Sequence, residues 1–383
     1  MQEPTGRPTL TTVAKLAGVS VASVSRVLNG MPASPEMESR VMDAVARTGY
    51  VPDAFARSLR ARRTNQLALA VSDVGNPVYV AMMRAIDASL RTTDYRLVLH
   101  STEADLAAEL DLLGTMRHGY VDGLILQSLR VRGELLAEIG RLTIPTVVIG
   151  LLPDDVPVDN VRTDTRLGMR LAVEHLVAAG RRRIALVNGP IDTVPGVARW
   201  TGFAEAMASS GLDVDAAPVE QSADFTHVAG LEAVRRLLAR TAPGEIDAIA
   251  CSNDLIAMGA LRALAERGLR VPDDVAVIGM DDTDLAAMCN PPLSSVSTGA
   301  AERGATAARL LLERIEDPEL PPRRYTVPPR LVVRESTAGS AASQPGTQQD
   351  GKRTAPQQTI HSAGSAAQPT LAASATGEQV TDS

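Results

Sequence analysis

Seven short apolar runs in the middle of the chain constrain its fold more than any other feature of the sequence. The runs are 67–71, 97–100, 124–127, 146–150, 184–188, 248–251 and 275–279. Because apolar residues occupy successive rather than alternate positions, these segments are typical of strands buried on both faces. Each run is followed by a stretch with helical patterning, which predicts doubly wound α/β lobes with parallel sheets.

Length and cysteine content limit the class of protein. A chain of 383 residues has room for two or three domains with ample cores. Cys251 and Cys289 cannot build a disulfide framework and lack the Cys/His clustering of a zinc site, so we expect no metal and no cofactor. The N-terminus has no apolar signal segment, and no stretch approaches 18 apolar residues. These features predict a cytoplasmic protein without membrane association.

Charge is distributed unevenly along the chain. Residues 1–63 contain nine Lys and Arg residues against five acidic residues, whereas the whole chain has a net charge of −7. A basic head on an acidic body predicts that only the head contacts an anionic surface. At the other end, residues 339–383 are rich in Ala, Ser, Gln, Thr, Gly and Pro and cannot bury a core, which predicts a disordered tail.

The basic head contains two short helical segments joined by a tight turn. Thr9 can cap a first helix that reaches about residue 17, and Gly18 can end it in the left-handed conformation. Ser20 can cap a second helix of about nine residues. Thr12 stands where an acidic residue would complete a capping box, which weakens the first cap. The spacing is that of a helix-turn-helix, with a structural helical hairpin as the alternative.

Outward side chains of the second helix suit DNA. In the major groove, Arg26 could bind both acceptor atoms of a guanine. Phosphates are within reach of the polar residues Ser20, Ser23, Ser25 and Asn29.

A third helix follows, with Ser34 as its cap and Pro35 in its first turn, and it completes the head. Next comes a basic segment, 52–63, in which Leu59 stands among arginines. A helix this short is not stable alone, so it could fold only when docked, with its leucine inserted into a minor groove. A basic interdomain linker is the equally supported alternative.

The order of motifs over residues 9–338 resembles the LacI-type (lactose-repressor/GalR) family of transcription regulators. The motifs are AGVSVASVSRVLNG (17–30), YVPDAFARSLR (50–60), VDGLIL (121–126), RWTGF (199–203), SNDLIAMGAL (252–261), VIGMDD (277–282) and PPLSSV (291–296). The resemblance implies a homodimer on a near-palindromic operator DNA, controlled by a small effector such as a sugar or sugar derivative. It also implies an all-α helix-turn-helix head, a hinge helix and a periplasmic-binding-protein-like body of two doubly wound lobes linked by three crossovers.

The resemblance also assigns roles to residues of the head. Val21, Ala22 and Arg26 would read bases, and Leu59 would be the intercalating leucine. The full predicted set of DNA-binding residues is Thr9, Ser20, Val21, Ala22, Ser23, Ser25, Arg26, Asn29, Tyr50, Ala56, Arg57 and Leu59. The leucine heptad of tetrameric members is absent from the tail, so a dimer is expected.

Ligand-binding candidates follow predicted strands or begin predicted helices. Arg199, Asn253 and Asp281 fall there, and this is where the cleft of an open α/β sheet lies. A guanidinium, an amide and a carboxylate can bind adjacent hydroxyls. The resemblance implies that Phe225 presents an aromatic face to the ligand, which would suit the apolar side of a sugar ring. The resemblance adds two further cleft residues, Asp73 and Gln127. Capping of the following helix or turn is the alternative role for Asn253 and Asp281.

These predictions divide the chain into four parts. They are the head at 9–51, the hinge helix or linker at 52–63, the ligand-binding and dimerisation body at 64–338 and the tail at 339–383. The first lobe comprises 64–164 and 297–325, and the second comprises 165–296 and 326–338.

Other functions are less well supported. The segment after 67–71 lacks the G-x-G-x-x-G turn of dehydrogenases, and the chain has no G-x-S-x-G elbow of hydrolases. A stand-alone cytosolic or exported sugar-binding protein would share the body but not the basic head. We therefore predict a non-enzymatic, ligand-responsive transcription regulator, with repression as the expected mode and sugar-induced release favoured by the resemblance.

Overall fold

The computed structural model describes residues 8–50 and 63–338 of the chain. The predicted hinge at 52–63 lies almost wholly outside the described residues, including the DNA-contact candidates Ala56, Arg57 and Leu59. The predicted disordered tail also lies outside them.

Three helices form the head: α1 (Leu10–Ala17), α2 (Val21–Leu28) and α3 (Pro35–Thr48). Thr9 accepts a hydrogen bond from the Thr12 backbone, and the Thr12 hydroxyl accepts one from the Thr9 backbone, each at 3.3 Å. The reciprocal box is therefore present with Thr12 in place of an acidic residue. Gly18 ends α1 at φ 64°, in the left-handed region that favours glycine.

The head has its own apolar core, in which one valine from each helix is fully buried: Val13, Val24 and Val41. Leu16, which the helical pattern places with the core, is instead 41% exposed. The small residue Ala17 takes a buried position on α1, which allows the close helix crossing.

The first sheet lies in the first lobe. Its strands are β1 (Gln66–Val71), β2 (Arg96–Ser101), β3 (Gly123–Gln127), β4 (Thr146–Ile149), β5 (Asp159–Thr163) and β11 (Arg324–Val327). They lie in the order β11-β5-β4-β3-β1-β2, and every pairing is parallel. Helices cover both faces of this sheet: α4 (Pro77–Leu90), α5 (Leu106–Met116), α6 (Gly133–Gly140) and α12 (Ala300–Glu316).

The second sheet has the same design. Its strands are β6 (Ile184–Asn188), β7 (Val219–Gln221), β8 (Ala248–Cys251), β9 (Ala276–Asp281), β10 (Ser294–Ser297) and β12 (Arg330–Val332). In the order β12-β10-β9-β8-β6-β7, all pairings are parallel except that of β12, which is antiparallel. Its helices are α7 (Thr165–Ala178), α8 (Val194–Ser209), α9 (His227–Arg240), α10 (Asp254–Glu266), α11 (Asp284–Met288) and α13 (Glu335–Ala338).

The architecture confirms the predicted α/β fold with two parallel-sheet lobes. The expectation that every apolar run is followed by a helix is wrong at β4, because the chain passes from β4 to β5 through a loop. The chain changes sheets three times, after β5, after β10 and after β11. The last change follows Val327, two residues beyond the expected boundary at 325, because β11 pairs with β5 along its whole length.

Candidate functional site

A cavity that is partly open to solvent lies between the two lobes, where strands from both sheets end. Gln127 ends β3 and Thr163 ends β5 in the first lobe, and Asp281 ends β9 in the second. The lining residues are Asn76, Val78, Tyr79, Gln127, Ser128, Leu129, Gly150, Leu151, Thr163, Thr165, Val194, Pro195, Arg199, Phe225, Asn253, Asp281 and Arg303. The cavity therefore occupies the position that open α/β sheets use for ligands.

Five of the six predicted ligand-binding residues line this cavity: Gln127, Arg199, Phe225, Asn253 and Asp281. The sixth, Asp73, is not among the lining residues. Its Oδ1 accepts a hydrogen bond of 2.7 Å from the Gly75 backbone, as in a turn.

Arg199 lies on α8 and is only 7% exposed. One terminal nitrogen lies 3.8 Å from Oδ1 of Asp281, and the other donates a hydrogen bond of 3.4 Å to the Ser252 hydroxyl. The guanidinium carbon lies 5.7 Å from the ring centroid of Phe225, which is within cation–π range. Burial lowers the pKa of Arg199 and the carboxylate of Asp281 opposes this shift, but an arginine remains charged.

Asp281 is held in an unusual backbone conformation. Its φ is 114°, and the next residue, Asp282, has a φ of 55°, so two successive non-glycine residues occupy a region that disfavours side chains. Such strain is concentrated at functional sites, where the surrounding structure maintains it. Burial raises the pKa of Asp281, and the neighbouring guanidiniums of Arg199 and Arg303 oppose the increase.

Asn253 caps α10, which is the alternative role considered from the sequence, and it also lines the cavity. Its Oδ1 accepts from the Ile256 backbone and its Nδ2 donates to the Phe225 carbonyl, both at 2.9 Å. The second bond fixes the backbone that carries the aromatic ring. Close contact also requires Gly189, because a Cβ there would lie 2.2 Å from the ring of Phe225.

Asp254 lies directly behind this site, in the first turn of α10. One of its carboxylate oxygens accepts from the Ser295 hydroxyl at 2.6 Å, and the other accepts from the Thr283 backbone at 2.8 Å. Burial, together with the nearby charge of Asp281, raises the pKa of Asp254 to about 7. The group therefore titrates close to neutral pH.

Sequence reasoning missed several buried polar side chains of the cavity, among them Tyr79 and Arg303, each 9% exposed. Tyr79 lies on α4, and burial raises its pKa to about 12, which keeps the phenol neutral. Arg303 lies on α12 and donates a hydrogen bond of 3.0 Å to the Thr298 hydroxyl. The available signal was the sequence Asn76-Pro77 before α4, which places Tyr79 in the first turn of that helix, beside the end of β1.

A group of contacts joins the lobes at the edge of the cavity. Arg130 follows β3 and forms a double contact with Asp192, which follows β6, at 2.7 and 3.3 Å. Nearby, the Val194 backbone nitrogen donates to the carbonyl of Leu129 at 2.8 Å. We refer to this set of four residues as the interlobe clasp.

In the head, α2 presents an exposed polar surface. Val21, Ala22, Arg26 and Asn29 are exposed, and Ser20 caps the helix by accepting a bond of 3.1 Å from the Ser23 backbone. Thr9 is also exposed, whereas Ser23 and Ser25 are half-buried. Tyr50, another predicted DNA contact, is 9% exposed and packs in the core of the head.

A helix-turn-helix head joined to a two-lobed body with a polar cavity defines a ligand-responsive transcription regulator. The model of the lacI family of bacterial regulatory proteins matches residues 9–53, and that of a periplasmic binding protein-like domain matches residues 173–337. CelR of Thermobifida fusca, an HTH-type transcriptional regulator, is 38% identical over 86% of this chain and 98% of its own length. The ribose operon repressor of Halalkalibacterium halodurans is 36% identical over 88% of this chain and 99% of its own length. The chain belongs to the LacI family.

Solved structures agree with this assignment. A CelR–cellobiose complex covers 86% of this chain and all of its own, with 36% identity and a TM-score of 0.65. The match to the lac repressor dimer bound to operator and the anti-inducer ONPF covers 87% of this chain and 99% of the repressor chain, with 26% identity and a TM-score of 0.76. The family consists of transcription regulators and not of enzymes. None of the helices in the described ranges has the length and apolar character needed to span a membrane.

Proposed function

We propose that this protein is a cytoplasmic repressor that binds a near-palindromic operator as a homodimer. A small sugar or sugar derivative in the interlobe cavity controls its affinity for DNA. The observation that carries the proposal is the convergence of Arg199, Asn253, Asp281 and Phe225 on one cavity between two lobes. The division into head, linker, two-lobed body and tail is part of the same proposal.

The DNA-binding role rests on the exposed surface of α2. Arg26 would bind a guanine in the major groove, while the side chains of Val21 and Ala22 would contact neighbouring base edges. Thr9, Ser20 and Asn29 are exposed and would contact phosphates. Two heads on one duplex displace counterions, so operator affinity should fall steeply as the salt concentration rises.

The chemistry of the cavity supports a carbohydrate effector. Arg199, Asn253 and Asp281 provide the charged and amide groups that bind adjacent hydroxyls, and Phe225 provides an aromatic face. One similar regulator, CelR, has a solved structure in complex with cellobiose, and another is named a ribose operon repressor. Gly150 adds no side chain to the lining, which leaves room for a ring or a substituent.

Control requires that the effector prefer one orientation of the lobes, since equal binding to both orientations would shift nothing. A 100-fold change in operator affinity corresponds to a preference of about 2.7 kcal/mol. By linkage, operator DNA must change effector affinity by the same factor. Residues that contact the effector are therefore separable from residues that contact DNA.

The decisive experiment uses Arg199→Ala and Asp281→Ala in the full chain. Fluorescence anisotropy would measure binding to upstream fragments of the gene and its neighbours, with and without a panel that includes cellobiose and D-ribose. Both variants should bind the operator within about threefold of wild type, a change below 1 kcal/mol, and should lose the response to sugar. Arg267→Ala, which replaces an exposed arginine at the end of α10, is the matched control and should keep both properties.

Two outcomes would overturn the proposal. If the wild-type protein bound no upstream fragment better than random DNA but still bound a sugar, it would be a stand-alone sugar-binding protein. If both cavity variants lost operator binding while unfolding at the wild-type temperature, the cavity would not be a separate sensing site.

A further inference from the structure

The charges of the interlobe cavity do not balance. Its lining includes two arginines, Arg199 and Arg303, but one acidic residue, Asp281, and no lysine or histidine. Both arginines are at least nine-tenths buried. Removing a charge from water is costly unless an opposite charge or a full set of hydrogen bonds replaces the solvent.

Of the three charged residues that line the cavity, Arg303 has the fewest partners. One terminal nitrogen donates to the Thr298 hydroxyl, and its buried Nε has no hydrogen-bond partner among the described residues. No carboxylate in the described part of the chain lies within 4.0 Å of its guanidinium nitrogens. The Nε of Arg199 is likewise buried without a partner, and Asp281 lies 3.8 Å from its terminal nitrogen.

Neighbouring residues do not supply the missing negative charge. Asp254 directs both carboxylate oxygens to Ser295 and Thr283 rather than to an arginine, and its pKa of about 7 leaves it partly protonated at neutral pH. The phenol of Tyr79 stays neutral because burial raises its pKa to about 12. The cavity lining therefore has one more arginine than carboxylate, and Asp254, which is partly protonated and does not line the cavity, forms no ion pair with either arginine.

The guanidinium group suits a particular kind of ligand. Its planar arrangement of N–H donors matches the paired oxygens of a carboxylate or a phosphate. Arg303 comes from the first lobe and Arg199 from the second, so an anion between them would contact both lobes. Phe225 and Asn253 line the same cavity, where the sugar ring and its hydroxyls would lie.

We propose that the effector is an anionic sugar, carrying a carboxylate or a phosphate that Arg303 and Arg199 bind, and not a neutral sugar. This inference rests on the proposed function and narrows its class of effector. The negative group would neutralise the excess charge of the cavity and favour the orientation in which the two arginines are close. A neutral sugar would leave that charge uncompensated.

The first test compares matched sugars by isothermal titration calorimetry. The sets are D-glucose, D-glucuronate and D-glucose 6-phosphate; D-galactose and D-galacturonate; and D-ribose and D-ribose 5-phosphate. In at least one set, the anionic member should bind wild-type protein at least about tenfold more tightly than its neutral parent, or about 1.4 kcal/mol. Comparing the uronates with the sugar phosphates shows whether the cavity prefers a carboxylate or a phosphate. If the best-binding sugar were neutral and bound as tightly as its acid, the inference would be wrong.

Arg303→Met tests the residue itself, and Arg267→Met is a control with the same loss of charge at an exposed site. Arg303→Met should lower the ratio of the affinity for the anionic sugar to that for its neutral parent at least about tenfold. The affinity for the neutral sugar should change little. Arg267→Met should keep the preference. An unchanged preference in Arg303→Met would overturn the assignment of this residue.

Inorganic phosphate provides a test that does not depend on the identity of the sugar. At constant ionic strength, phosphate should raise the unfolding temperature of wild type and Arg267→Met more than that of Arg303→Met. Equal shifts in all three proteins would contradict the inference, whether or not any sugar binds. A neutral sugar that releases the operator at least as effectively as its anionic counterpart would refute only the inference, whereas an operator that no sugar affects would count against the proposed function.

Discussion

Asp254 shows how one buried carboxyl group can govern stability near neutral pH. The folded protein retains its proton up to about pH 7, while the unfolded chain releases it near the usual value of 3.8. Between these values the folded state binds more protons than the unfolded state, so the free energy of unfolding falls as the pH rises, and this loss ends above about pH 7.

Asp254→Asn should therefore flatten the pH dependence of stability between about pH 5 and 7. One proton accounts for a slope of at most about 1.4 kcal/mol per pH unit. Urea unfolding at several pH values, followed by circular dichroism, would measure it. Asp155→Asn, at an exposed position, should keep the wild-type slope. A variant at position 254 with the full wild-type slope would show that another group carries the dependence.

Several cavity residues could be predicted from the sequence because the rule for parallel sheets is local. Asn253 directly follows β8 and Asp281 ends β9, so recognising the strand places each residue at the cleft. Arg303 follows no such rule, since it enters the cavity from α12. That helix packs on α4, more than 200 residues earlier in the chain, and one sequence contains no signal for this contact. Asp73 also follows a strand, β1, but it is not among the lining residues, and its carboxylate accepts a hydrogen bond from the Gly75 backbone.

At the scale of elements, Arg40 joins α3 to the turn of the helix-turn-helix. Its guanidinium donates two hydrogen bonds to the Ala17 carbonyl, at 3.0 and 2.5 Å, and one of 2.9 Å to the Gly18 carbonyl. The last carbonyls of a helix have no partners within it, so this arginine satisfies the end of α1. The position of α2 depends on the same turn.

Arg40→Met should destabilise the head by about 1 to 3 kcal/mol, the usual range for hydrogen bonds from a charged group. Hydrogen exchange of backbone amides in α1 and α2, in the full chain, would measure the change. Arg47→Met removes an exposed arginine from the same helix, whose contact with Asp43 is 3.7 Å, and should have little effect. Equal protection in both variants would mean that the apolar core alone holds the turn.

Elements with a continuous apolar pattern were predictable, and the others were not. The strands β5 and β10 read DNVRT and SSVS, so polar side chains interrupt the pattern by which buried strands are recognised. Their polar groups find partners through tertiary structure: Asp159 binds Arg314 and Arg323, which lie far along the chain. Contacts with residues that are distant in the sequence stabilise such strands. These contacts produce no apolar pattern in the sequence of the strand itself.

At the scale of the whole molecule, the interlobe clasp joins the two lobes beside the cavity. The pair of Arg130 and Asp192 is partly exposed, with 25% and 48% of the side-chain surfaces accessible to solvent, so its contribution is small. Where two lobe orientations have nearly equal free energies, even a small contribution to one of them changes their populations.

Asp192→Asn should weaken effector binding about two- to fivefold, because an exposed ion pair contributes about 0.4 to 1 kcal/mol to the closed orientation. The difference from wild type should shrink at high salt, which screens the pair. Calorimetric titrations at two salt concentrations would measure both effects, with Asp155→Asn as the control. A salt-independent loss of binding would indicate that Asp192 acts through something other than its charge.

The three crossings between sheets also determine when control can begin during synthesis. Neither lobe is complete until the ribosome has added β11 and β12, whereas the head is complete at Tyr50. The 282 residues from Tyr50 to Val332 take about 15 to 55 s at usual rates of about 5 to 20 residues per second. During that time the nascent chain has a folded head but no effector site. It is also a single copy, without the avidity of two linked heads. Regulation by the effector therefore starts only after the final strands have been translated.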